Sequence, residues 1–148
     1  MYRYQLWRIW DEDKPKTLFI MLNPSTADHT KNDPTINRCI HFSKSWGFGG
    51  FYAGNLFPYR SKHPKDLLYA KNPRGNSNRF HIIDMAEKVD TVVCAWGNAG
   101  IVKRIFRGSS PYDYLGLPDE KLYYIDIAKD GTPKHPLFLR GILTLKKV

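Results

Sequence analysis

The sequence is short of cysteine, of acidic residues and of long apolar runs, and each shortage excludes a class of protein. Cys39 and Cys94 are the two cysteines. Each stands alone in an apolar context, without the paired spacing of a disulfide framework or a zinc site. Both read as buried thiols in a reducing compartment, which predicts a cytoplasmic protein. No stretch approaches the roughly 18 apolar residues of a membrane span, so no membrane partner is expected. The opening MYRYQLWRIWDEDK has no apolar h-region and no small-residue cleavage site, and reads as mature protein rather than a signal peptide. Internal repeats and low-complexity tracts are missing. So are a Walker glycine loop and paired metal carboxylates, which disfavours phosphoester chemistry through Ser25, Thr26 and Asp28. No metal or other cofactor is expected.

The acidic shortage has a positive counterpart. Asp and Glu number 14 against 23 Lys and Arg, a net charge of +9. That balance favours a polyanionic partner: nucleic acid, with DNA foremost, or a nucleotide. Charges scattered over helices are ordinarily solvated, so the loop residues Arg60 and Lys134 carry this reading best. The 148 residues are 42% hydrophobic and 14% aromatic, enough to bury a core within one domain spanning 1–148.

Hydrophobic patterning sets the order of elements. MYRYQLWRIW alternates loosely and reads as an edge strand. TLFIML (17–22) is a continuous apolar run, the pattern of a strand covered on both faces. Asp33-Pro34 opens a helix, Asp as N-cap and Pro at the first position. Its apolar face is Ile36, Cys39, Ile40, Ser43 and Trp46, and Gly47 ends it. FYAGNLF (51–57) is a second buried strand. A short helix is expected near 64–70, and a firmer one over 77–89 with Phe80, Ile83, Ala86 and Val89 on one face. TVVCAW (91–96) is a third buried strand, 101–106 a short helix and KLYYIDIA (121–128) a fourth strand. Strands alternating with helices predict an α/β protein: a three-layer α/β/α sandwich with a mainly parallel four-stranded sheet and an N-terminal edge strand.

Parallel sheets bind ligands beyond the carboxyl ends of their strands, where strand order switches. The residues following each strand are therefore the candidates. They are Asn23, Pro24, Ser25, Thr26 and Asp28 after the first buried strand, and Asn55, Tyr59 and Arg60 at the second. Asn98 follows the third, and Lys134 and His135 the fourth. Loop ends are polar in any protein. Asn55 is different, because it interrupts an apolar run: it either contacts a ligand or satisfies a loop backbone.

The blocks YRYQLWRIW, LFIMLNPSTAD, NDPTINRC, GNLFPYR, AWG and DGTPKHPLFLR resemble domain-of-unknown-function family 1643, found in bacteria and phages, over nearly the whole chain. In the same order they resemble, more remotely, the uracil-DNA glycosylase superfamily, which implies a sandwich of that type. The Gly-Ile-Asn-Pro-Gly motif of its mismatch-specific branch is similar to Met21-Leu22-Asn23-Pro24-Ser25. The resemblance implies that Asn23 positions the attacking water, that Asn55 contacts the base and that His135 donates to the departing base. Leu137 stands where the late His-Pro-Ser motif has Ser, and the four cysteines of the iron-sulfur branches are absent.

These residues suit cleavage of an N-glycosidic bond, which leaves positive charge on the sugar and negative charge on the base. A placed water and donors at the base oxygen assist it. Asp28 or Asp33 is the candidate general base, although for Asp33 the N-cap role is favoured. Tyr59 is the better stacking candidate; Trp46 and Trp96 read as core. The expected activity is a glycosylase-like hydrolase with Asn23, His135 and Asp28 as catalytic residues. The alternative is a binding module for nucleic acid or nucleotide that lacks the chemistry.

Overall fold

A computed structural model describes residues 2–24 and 26–148. Among the described residues, six strands form one sheet: β1 (Leu6–Ile9), β2 (Thr17–Met21), β3 (Gly50–Asn55), β4 (Thr91–Cys94), β5 (Leu122–Tyr124) and β6 (Lys146–Lys147). Their order is β1-β3-β2-β4-β5-β6. The four central strands run parallel, whereas β1 and β6 are antiparallel edges. The expected four-stranded sheet with one edge strand is therefore corrected to a six-stranded mixed sheet. A two-residue Lys-Lys strand shows no period of its own. It exists because Tyr123 pairs with Lys147 and Lys146 Nζ donates to the Ile125 carbonyl at 2.8 Å. Lysines at a sheet edge also discourage further pairing.

All five residues of β2 are buried. Strand alternation sends Leu18 and Ile20 into one apolar cluster and Phe19 and Met21 into another. Helices thus cover both faces. Helix α1 (Pro34–Ser45) supplies Ile36, Cys39 and Phe42 to the Phe19 side. Helices α2 (Asn78–Glu87), α3 (Ala99–Phe106) and α4 (Pro111–Leu115) cover the Leu18 side. Cys39 and Cys94 are buried free thiols, as expected. Burial pushes Cys94 up to about 12, so neither the charge nor the reactivity of a thiolate is available there.

Helix α2 turns a different face to the sheet from the one its sequence suggests. Asn78, Ile82, Met85 and Ala86 are buried, and Phe80 is 75% exposed. Asn78 Nδ2 donates to the carbonyls of Asn55 (2.8 Å) and Leu56 (3.1 Å), which ties the start of the helix to the end of β3 and sets its rotation. Gly54 permits the close approach, since a Cβ there would lie 2.8 Å from Met85 Cε. The segment at Pro64–Leu68 is a 3-10 turn. Helix α4 was not foreseen from sequence; its signal is Ser110 as N-cap before Pro111. The fourth strand is shorter than expected because Ile127 bridges Pro133, folding the chain back after Ile125.

Candidate functional site at the rim of the parallel strands

From β2 the chain passes to α1 on one face of the sheet. From β4, its neighbour, it passes to α3 on the other. The two loops diverge and leave a crevice at the switch point. A cavity of about 480 Å³ lies there. Asn23, Thr26 and Asp33 reach it from the loop after β2, Ser61 and Lys62 from the segment after β3, Asn98 from β4, and His135 from the segment after β5. Each of the four parallel strands contributes a wall.

Asn23 is the joint between two of those walls. Its Nδ2 faces the carbonyls of Pro24 (3.3 Å), Tyr59 (3.4 Å) and Ser61 (3.2 Å). Carbonyls only accept, so the amide must present its NH2 to them and its Oδ1 to the opposite side. Pro24 is buried, and its carbonyl in turn accepts from the Ser61 amide at 3.1 Å. Asp33 caps α1: Oδ1 accepts from the Ile36 amide (2.9 Å) and Oδ2 from the Ala27 amide (3.2 Å). The capping role favoured from sequence is thus present, yet the same carboxylate, 8% exposed, also lines the cavity.

His135 precedes a 3-10 turn at Pro136–Phe138, and its Nδ1 accepts from the Leu137 amide at 3.2 Å. An accepting Nδ1 places the ring proton on Nε2. Burial pulls the imidazole down to about 4, against a smaller opposing pull from Asp33. Above that value the ring is a neutral donor through Nε2–H. Gly97 makes room for it: φ there is +61°, and a Cβ would sit 3.2 Å from His135 Cβ. Asn98 next to it is also left-handed, at φ 47°.

The other sequence-derived candidates are dispersed. Lys134 is exposed, pairs with Asp126 at 3.2 Å, and lines an adjoining cavity of about 390 Å³ that shares Asn98 and His135 with the first. Tyr59 lends its carbonyl to Asn23, and its half-buried ring packs edge-on against Tyr2. Asn55 is 2% exposed and offers a ligand almost no surface; its carbonyl accepts from Asn78. Asp28 and Arg60 line a different cavity. The Asp28 carboxylate accepts from the Thr30 amide (2.9 Å) and the Lys31 amide (2.7 Å), which hold it down to about 2. Such a carboxylate is a weak base. Ser25 lies outside the described residues. Trp96 is core, as expected. Lys62 and Phe138 were not singled out from sequence. The 92% exposure of Phe138 at the rim has no signature in an apolar tail.

Among the described residues no group of three His, Cys, Asp or Glu side chains could hold a metal ion. Among them, too, no helix is long and apolar enough to cross a membrane. Fold and rim together define an α/β protein with a polar cavity at the switch point of its sheet. The family described as "Protein of unknown function (DUF1643)" matches residues 3–137, and the chain belongs to that family. No curated protein and no solved structure matches the chain.

Proposed function

We propose that the chain is a glycosylase-like hydrolase acting on a base in nucleic acid, DNA foremost, or on a nucleotide derivative, with a sheet arranged as in the uracil-DNA glycosylase superfamily. One observation carries the reading: Asn23 and a neutral His135 with its proton on Nε2 face one cavity. Departure of a base builds negative charge on its carbonyl oxygen. A neutral imidazole donor stabilises that charge without first giving up a proton. The Asn23 Oδ1 accepts from a water and orients it toward the sugar carbon. Because the bond breaks with the sugar already cationic, an amide acceptor suffices to hold the nucleophile. Asp33, rather than Asp28, is the carboxylate on this cavity. It opposes the developing sugar charge, and the proton the water loses neutralises the departed base anion.

The test is abasic-site formation. Labelled single- and double-stranded DNAs carrying uracil, mismatches and modified pyrimidines are incubated with protein and then treated with alkali. Strand breaks that vanish in Asn23→Ala and His135→Ala support the reading. Salt-steep binding without breaks replaces it with a binding module.

A further inference from the structure

Beyond the base-binding cavity, Arg3, Gln5, Trp7, Asp28, His29 and Arg60 enclose a second one of about 500 Å³. We propose that it is a phosphate-binding pocket: a phosphate ester sits between the guanidiniums of Arg3 and Arg60, and Trp7 walls the nucleoside attached to it.

Arg3 and Arg60 line the cavity, and the charge of Arg8 also acts on Arg3. Arg3 donates to the Ala27 carbonyl. Arg8 donates to the carbonyls of Asp28 and Lys31 and, at 2.8 Å, to Asn32 Oδ1. These acceptors position the guanidiniums without neutralising them. Burial, then the nearby charges of Arg60 and Arg8, pull Arg3 down to about 10, and Asp33 and Asp28 oppose this. Both carboxylates already accept main-chain amides. The charges of Arg60 and Arg8 thus crowd that of Arg3. An anion relieves that crowding, and a guanidinium fork matches phosphate geometry.

The size and walls narrow the ligand. The volume is that of a site for a small organic molecule and far exceeds a bare phosphate. Trp7 is 53% exposed and presents a flat apolar surface suited to a base or sugar. Arg60 is adjacent in sequence to Ser61, which lines the first cavity. A strand with one base in the first cavity thus brings a neighbouring phosphate to the second. The pocket itself does not depend on base cleavage, since it holds a phosphate whatever reaction its neighbour performs.

Two measurements test it. Arginine Nε–H resonances are followed by NMR during titration with inorganic phosphate, and a fluorescent single-stranded oligodeoxynucleotide is bound across a salt series. Saturable shifts of Arg3 and Arg60 are expected, with the Arg3 shift lost in Arg60→Gln and the Arg60 shift weakened in Arg3→Lys. Arg60→Gln also lowers the salt slope of oligonucleotide binding by about one. Trp7→Ala weakens oligonucleotide binding and leaves the phosphate shifts in place. Arg60 is exposed, so its variant folds. Absence of a saturable shift, or an Arg3 shift indifferent to Arg60→Gln, overturns the pocket. Oligonucleotide binding indifferent to Arg60→Gln overturns it too while leaving the proposed base cleavage standing. Phosphate shifts without oligonucleotide binding keep the pocket, make a free phosphoanion its ligand and remove nucleic acid from the proposed function.

Discussion

On one side of the rim, Asn23, Asp33 and His135 share a cavity whose polar groups are held by burial and by main-chain hydrogen bonds. On the other, Arg3, Asp28 and Arg60 share a cavity of comparable volume whose groups carry full charge. Both draw on the loop between β2 and α1. Their difference lies in how the chain handles charge. In the first, His135 loses its charge because desolvation of an imidazolium costs more than Asp33 returns. In the second, arginines keep theirs, because a guanidinium does not neutralise near pH 7. The first cavity is suited to charge that develops during a reaction, the second to charge a ligand brings with it.

The largest expected effect acts on both cavities at once. Phe19 is fully buried in β2, and the loop that follows this strand feeds both cavities. Phe19→Ala should cost about 3–5 kcal/mol by denaturant unfolding and weaken both sites together. A loss confined to one cavity would mean that the sheet does not position the two jointly. Next is Asn23→Ala, which should reduce abasic-site formation by about 100-fold or more. Arg60→Gln should leave the rate at saturating substrate within about twofold and raise KM, because it supplies ground-state binding only. If Asn23→Ala and Arg60→Gln gave the same pattern, the division of labour between the cavities would be wrong.

The pH dependence separates them further. An unfolded His titrates near 6.5 and folded His135 near 4. Between those values the unfolded chain binds more protons, so stability rises with pH across the window and is lost as pH falls from about 6.5 toward 4. The contribution is about 2–3 kcal/mol after allowance for partial exposure. Urea midpoints measured from pH 4 to 7 should show this slope, and His135→Gln should flatten it. The carboxylates act lower. Asp28 and Asp130 are held to about 2 by main-chain amides. Their stabilising contribution is present above about 4 and fades as pH falls toward 2.

A smaller effect is expected from Asp33→Ala. It removes two amide acceptors and the cap of α1, for about 1–2 kcal/mol of stability. Its activity loss should exceed that of Asp33→Asn, which keeps a capping oxygen. The smallest concerns Asp28→Ala. With its carboxylate closed into the turn over Thr30 and Lys31, base cleavage should change by no more than about twofold.

How much of this was legible in the sequence depended on whether the determinant was local. The continuous apolar run of β2 announced a strand covered on both faces, because each face needs its own apolar partners. Asp33-Pro34 announced a helix start, because capping is decided within four residues. The rule that parallel strands end at one rim is enough to bring Asn23, Thr26, Asn98 and His135 together. What stayed hidden was relational. The buried face of α2 follows from Asn78 gripping the end of β3, a contact across more than twenty residues. Strand β6 exists only because β5 offers an edge.

The sequence by itself determined which residues reach the rim: strand ends and turn residues are local properties of composition and period. The tertiary structure alone decided which rim residues share a cavity and what state they are in. Asp28 and Asp33 lie five positions apart with the same carboxylate, and burial and amide partners sent them to different cavities. A lone histidine in a loop became a neutral Nε2–H donor because Leu137 occupies its other nitrogen and burial at the rim partly desolvates the ring. Hydrogen-bond partners and desolvation are set by neighbours distant in sequence, and only folding brings those neighbours within reach.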